Sequence, residues 1–270
     1  MDIITLTGRM ASGKTTRAVR LLAKAKPLGI TTAFVGFADP LKTFVRKAFG
    51  IAKSGKVHGF DTGRLCYTFI LTEVENYLRA SYLEIQDEIT LNDELNSIIE
   101  SIIYNSTAME SFVKTIHLAH ISTHKDLYNK AVRTILQTVG SEFGRKLHPD
   151  FWVYKNIYKL ADLRKSGVDL VIIDDLRFEN EHIGLKRYTS EMVVIGGSLT
   201  SLFLEASDEI VAERLKVSVD YVREASQHDS EDLSWVGLHG GFIHCLENDT
   251  AIEESVINNL FVGGADNDSL

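Results

Sequence analysis

Gly8-Arg9-Met10-Ala11-Ser12-Gly13-Lys14-Thr15 decides how the rest of the chain is read. The stretch matches G-x-x-x-x-G-K-[ST] at every fixed position. Each fixed residue has a physical task. The glycines let the backbone turn sharply and aim its N–H groups at phosphate oxygens, the lysine reaches the outer phosphates, and the hydroxyl ligates magnesium. The flanks are those the motif requires. Ile3 to Thr7 reads as a buried strand, and Lys14 to Lys26 as a helix ended by Pro27 and Gly29. The positive end of that helix adds to the same spot. The expected ligand is ATP with Mg2+, held by Gly8, Arg9, Ala11, Ser12, Gly13, Lys14, Thr15 and Thr16, with Lys14 catalytic and Thr15 on the metal.

A phosphate-binding loop of this kind is served by a carboxylate at the end of another strand. Val168 to Ile173, apolar but for Asp169, reads as a strand buried on both faces, and it ends in Asp174-Asp175. Alternation puts only one of the two beside the loop, and capping of the next helix is the plainer use of the pair, one that can coexist with holding a metal. Leu176-Arg177-Phe178-Glu179-Asn180-Glu181 follows. A guanidinium at Arg177 suits phosphate oxygens, with surface ion pairing as its plainer use.

Outward from these two segments, strands and helices alternate. Thr31 to Phe37 reads as a second strand, followed by a helix with Asp39 as N-cap, Pro40 at its first position and Gly50 as its stop. Further strands are expected at Met192 to Ile195, Leu202 to Glu205 and Phe242 to Leu246. Helices are expected at 127–143, from about Asp150, and over 179–188, 208–216, 218–225 and 250–260. Between Gly63 and Gly140 there is no glycine, and apolar residues such as Ile98, Ile99, Ile102 and Ile103 recur at helical spacing. With Thr72 and Glu75 as a capping box, this reads as an insertion of about three helices. The expected layout is an α/β core of residues 1–52 and 129–262, an all-helical insertion at 53–128, and a disordered tail at 263–270. The sheet should be mostly parallel, in a three-layer P-loop NTPase fold.

The bulk composition narrows the field. The 270 residues are 44% hydrophobic and 24% charged, as in an ordinary globular chain, and the formal net charge is −8. An acidic chain is a poor bulk binder of nucleic acid or anionic membrane, although a small basic cleft within it stays compatible with the count. Two distant cysteines, Cys66 and Cys245, suit a reducing cytoplasm, and no apolar run approaches ~20 residues. No signal-peptide pattern is seen at the N-terminus.

Four segments together resemble the phage-type deoxynucleoside monophosphate kinases, within the P-loop nucleoside monophosphate kinase group. They are the glycine-rich loop, Phe37-Ala38-Asp39-Pro40-Leu41-Lys42, the run from Leu136-Gln137-Thr138-Val139-Gly140 through Arg145 to Phe151-Trp152, and Ile173 to Glu181. Weaker echoes lie at His228-Asp229-Ser230-Glu231 and Glu247-Asn248-Asp249-Thr250. The resemblance spans about half the chain and leaves 53–128 unmatched. It implies transfer of the ATP γ-phosphoryl to a deoxynucleoside 5′-monophosphate in the host cytoplasm, with a homodimer as a plausible assembly. Lys42 and Arg145 would hold the acceptor phosphate, and Arg177 would bridge the two phosphates. Trp152 with Phe151 would stack on the base, Gln137 would read a base edge, and Glu181 would contact substrate. Asp175 would be the metal's carboxylate. Several have plainer uses: Trp152 and Gln137 in packing, Lys42 as a solvated helix residue.

The loop departs from the family pattern, since Met10 and Ala11 replace basic residues. Arg214 or Arg223 would then supply the missing charge from a lid. Two other classes compete with this reading. One is a kinase for dephospho-coenzyme A or a polynucleotide 5′-end. The other is a nucleotide-hydrolysing switch or motor, against which stands the lack of an Asn-Lys-x-Asp guanine-reading motif.

Overall fold

The computed structural model describes residues 1–85, 94–193, 197–226, 232–245 and 251–261. Contacts divide the chain into two compact units, Met1–Phe37 with Ile157–Leu270, and Ala38–Asn156. These boundaries fall at 37/38 and 156/157, not at the 52/53 and 128/129 read from composition.

The first unit is built on a five-stranded parallel sheet. Its strands are β1 (Asp2–Gly8), β2 (Thr32–Val35), β5 (Leu170–Leu176), β6 (Leu199–Leu204) and β7 (Phe242–Cys245), in the order β2-β5-β1-β6-β7. The central position of β1 explains its composition. Ile3, Ile4 and Leu6 are wholly buried, and so are Thr5 and Thr7. Their hydroxyls are satisfied: Thr5 Oγ1 donates to Ser201 Oγ at 3.0 Å and Thr7 Oγ1 to the Leu176 carbonyl at 2.7 Å. Helix α1 (Lys14–Ala25) packs on β1 and β5, and α11 (Ile252–Phe261) packs on α1. Helix α8 (Glu179–Val193) packs on β6. The chain crosses from β5 to β6 over β1. The carboxyl end of β1 is therefore a topological switch point, where open α/β sheets bind ligands. Helices α9 (Asp208–Leu215) and α10 (Val219–Ala225) complete the unit.

The second unit is mainly helical: α2 (Asp39–Phe49), α3 (Tyr67–Ile85), α4 (Glu94–Ile103), α5 (Ser106–Ile121) and α6 (Lys125–Gln137), with the start of α7 (Phe151–Lys165). Its largely aliphatic core contains a cluster of aromatic rings. Phe44 stacks on Tyr77 with ring centroids 3.9 Å apart, and Phe112 meets Phe49 and Phe143 edge-on.

Several expectations are corrected. The insertion is not all-helical, because Ile51–Ala52 (β3) and Gly55–Lys56 (β4) pair as an antiparallel hairpin. Asp39 is the first helical residue of α2, with Ala38 at the cap. Thr72 and Glu75 lie inside α3, where Glu75 accepts from Arg79 Nε at 2.9 Å, so they form no capping box. Met192 and Val193 finish α8 instead of opening a strand. The helix expected over 127–143 becomes α6 followed by a π-helical stretch, Thr138–Arg145. Val194, Ile195, His228 and Glu231, the 247–250 segment and the 263–270 tail lie outside the described residues. Among the described residues, no helix is long and apolar enough to cross a membrane.

Candidate functional site

The glycine-rich loop leaves β1 at Gly8, which has φ 148°. A Cβ built there would lie 2.5 Å from the Leu204 carbonyl oxygen and 2.7 Å from Ser12 Oγ, so only glycine fits between β1 and β6 at this point. Gly13, in the left-handed region at φ 97°, is the N-cap of α1 and uses no side chain to cap it. The first turn of α1 thus carries backbone N–H groups without an intrahelical partner and has no acidic residue in it. Lys14 is buried, and its ammonium donates to the carbonyls of Gly8 and of Arg9, the latter at 2.7 Å. Thr15 and Thr16 are exposed.

The carboxyl ends of β1 and β5 meet irregularly. Thr5 pairs with Ile173 and Thr7 with Leu176, so Asp174 and Asp175 together oppose Leu6 in a bulge. The bulge gives the two carboxylates separate directions. Asp174 Oδ2 accepts from the Thr15 hydroxyl at 2.6 Å, whereas Asp175 Oδ1 accepts from the Phe37 N–H at 2.7 Å. The structure thus brings Asp174, not Asp175, to the hydroxyl named as a metal ligand.

Arg177 follows on the loop into α8. Glu181 is buried, and its Oε2 accepts from the backbone N–H groups of Arg177 at 2.9 Å and Phe178 at 3.1 Å. As the third helical residue reaching back to the helix start, it is the carboxylate half of a capping box. Its visible task is to fix the backbone that carries Arg177.

The α9–α10 pair closes on the same loop. Val211, Ala212 and Val222 form a small core that includes Ala11 at its edge. Ala11 is one of the few non-glycine residues with positive φ, 59°. Arg214 Nη1 donates to the Ala11 carbonyl at 2.8 Å. Arg9 Nη1 donates to Asp208 Oδ1 at 2.7 Å, and Arg223 Nε to Asp208 Oδ2 at 3.2 Å. Arg9's hydrogen bond, seconded by Arg223, holds the Asp208 carboxyl below the usual range. Of the two lid candidates, Arg214 touches the loop directly while Arg223 pairs with Asp208 and Asp220. Asp208 had no signal in the sequence, where it reads as an ordinary acidic first-turn residue 199 positions from Arg9.

No model of a known protein family matches the chain, and no curated protein does. The site is therefore read from its own geometry.

The residues named for the acceptor lie in the second unit and divide by exposure. Lys42 is exposed and sits 3.5 Å from Asp39. Gln137 and Arg145 are half-buried at the two ends of the π-helical stretch. Phe151 and Trp152 are 0% and 5% exposed, with their rings edge-to-face at 4.8 Å. Trp152 Nε1 donates to the Gly140 carbonyl at 2.8 Å, and a Cβ built at Gly144 would come within 2.6 Å of the indole. Trp152 is therefore packed as a core side chain whose polar edge secures the π-helical turn.

Proposed function

We propose that the chain is a three-layer P-loop phosphotransferase that moves the γ-phosphoryl of ATP to a deoxynucleoside 5′-monophosphate. The observation that carries this is the 2.6 Å contact between Thr15 and Asp174, made where the glycine-rich loop and the adjacent parallel strand both end. A hydroxyl and a carboxylate are hard oxygen donors, the set that magnesium takes alongside waters and phosphate oxygens. Magnesium held there would offset charge on the transferred group. The donor phosphates would lie along the loop backbone and the first turn of α1, with the Lys14 ammonium already enclosed by the loop. Arg177, held through the backbone by Glu181, would supply a planar donor fork to phosphate oxygens, and Arg214 a second cation beside Ala11. Phosphoryl transfer is mostly positioning and charge neutralisation, so this set is sufficient in kind.

The acceptor class rests on the resemblance of the Asp-Pro-Leu-Lys, Gly-to-Trp and Asp-Asp-Leu-Arg-Phe segments, with Lys42 and Arg145 as the cations for its phosphate. The test is a coupled ADP-release assay with ATP and magnesium against deoxy- and ribonucleoside monophosphates and a no-acceptor control. ADP release should appear only with certain deoxynucleoside monophosphates. Release at the same rate without any acceptor would replace the kinase with a nucleotide hydrolase.

A further inference from the structure

The second unit carries a feature that the phosphoryl-transfer reading does not use. From Pro40 to Phe60 the sequence holds five Lys or Arg residues and no Asp or Glu, in a chain of formal net charge −8. The fold gathers most of that charge around one cleft of ≈ 510 Å³, lined by Arg46 and Lys47 of α2 and by Ser54, Lys56, His58 and Phe60 of the hairpin and the segment after it. Among the described residues, no acidic side chain lines it. None of the residues named above for donor or acceptor lines it either.

The walls are held in place. Gly50 N–H donates to the Arg46 carbonyl at 3.0 Å, and Val57 N–H to the Gly50 carbonyl at 3.1 Å, which folds the hairpin back over the end of α2. Tyr128 Oη donates to the Ala52 carbonyl at 2.8 Å. His120 Nε2 meets the Phe49 carbonyl at 2.6 Å, and its ring stacks on Phe60 at 5.8 Å. Lys56 donates to the His120 carbonyl, a neutral partner. Gly55 and Gly59 have positive φ and open space where a Cβ would stand, so the cleft wall is unobstructed by side chains at these two positions.

We infer that this cleft is a binding site for a phosphorylated small molecule of nucleotide size. Three cationic side chains and a histidine around one concavity, with no carboxylate lining it among the described residues, create a local positive potential that the net charge conceals. Arg46 supplies a fork for phosphate oxygens, the lysines supply point charges, and Phe60 supplies an apolar wall. The volume falls in the range of small-molecule pockets, about 300–1,000 Å³. A polynucleotide would need a basic stripe continuing beyond the cleft, and the chain as a whole is acidic, with a formal net charge of −8. The site stands independently of the kinase reading, and a silent kinase assay leaves it untouched.

Protein labelled with 15N-glycine separates the two phosphate sites in one spectrum, because Gly55 and Gly59 report on the cleft and Gly8 and Gly13 on the loop. Pyrophosphate and a nucleoside diphosphate are titrated into the full chain. The Gly55 and Gly59 signals should shift saturably, with a dissociation constant below about 1 mM for the diphosphate. In the exposed-residue double variant R46E/K47E, checked for fold by circular dichroism, this affinity should fall by about tenfold or more while the Gly8 and Gly13 responses persist. Shifts that never saturate, or that survive charge reversal, would overturn the site. A single-stranded oligonucleotide displacing the diphosphate at far lower concentration would overturn the small-molecule assignment.

Discussion

The loop at 8–15 and the turn at 138–145 both depend on glycine, and they use it in opposite ways. At Gly8 the missing side chain lets β1 pass tightly against Leu204, and the chain beyond ends in exposed Thr15 and Thr16 at the start of a helix. At Gly144 the missing side chain makes room for a buried indole, and the carbonyl of Gly140 accepts that indole's N–H. One arrangement turns polar groups outward, where a ligand can meet them. The other turns them inward, where the protein satisfies itself. In sequence the two look alike, as glycines close to residues of functional type. What separates them is where the backbone N–H and C=O groups end up.

The sharpest way to break this contrast is Lys14→Ala. If the loop at 8–15 is the outward-facing, ligand-binding one, the variant should lose at least about 10³-fold in acceptor-dependent ADP release while its circular dichroism stays unchanged. Activity within tenfold of wild type would make the loop an ordinary strand-to-helix turn.

The two aspartates allow a finer cut inside the same region. Asp174→Asn should reduce turnover by about 10²-fold and raise the magnesium concentration needed for half-maximal rate, because the Thr15 side loses its carboxylate. Asp175→Asn should leave the magnesium requirement in place and lower thermal stability, since the Phe37 N–H loses a charged acceptor. The reverse pattern would return the metal to Asp175.

A third test asks whether the first unit also contains inward-facing polar groups. His182, one residue beyond the Glu181 cap, is buried among Trp235, His239 and Phe242, and neither of its ring nitrogens has a hydrogen-bond partner among the described residues. Outside this ring, His239 pairs with Glu179 at 2.5 Å. Desolvation, then the charges of Lys186 and His239, lowers the His182 pKa from 6.5 to about 4. Between those two values the unfolded chain binds the proton that the folded chain refuses. Stability should therefore be undiminished above pH 6.5, fall as the pH drops toward 4, and lose no more from this group below that. The whole loss is about 3 kcal/mol. In urea titrations across this window, wild type should lose stability relative to His182→Phe as the pH falls, because phenylalanine binds no proton in either state. Parallel pH profiles would show that His182 is not held neutral.

Much of this was legible in the sequence, for reasons tied to particular residues. The continuous run at 170–173 and the motif at 8–15 each carry a backbone requirement in a few adjacent positions, so β1, α1 and β5 could be read directly. The choice between Asp174 and Asp175 could not: the resemblance points to Asp175, whereas a bulge opposite Leu6 turns Asp174 toward Thr15. The hairpin at 51–56 had a local signal in Ser54-Gly55, overshadowed by the glycine-free helical run that follows. The Arg9–Asp208 pair had none, since nothing local marks a contact made across 199 residues. Trp152 was ambiguous in a deeper sense. An indole that stacks on a base and one that packs on a glycine are the same residue on the same helix face, and only burial distinguishes them.

The smallest effect comes from Trp152→Phe, which bears on the inward-facing half of the contrast. Phenylalanine keeps an aromatic ring for stacking, so a base platform would survive the change with little loss. The core role would not survive intact. The Gly140 carbonyl loses its 2.8 Å donor, and the pocket formed over Gly144 is left underfilled. The expected cost is about 1–2 kcal/mol, seen as a fall of a few degrees in the thermal midpoint. The apparent binding constants for ATP and acceptor should both stay within about twofold. A stable variant whose acceptor constant alone rises about tenfold would mean that the indole faces substrate, and the turn at 138–145 would then join the loop at 8–15 as a place where glycine opens the chain toward a ligand.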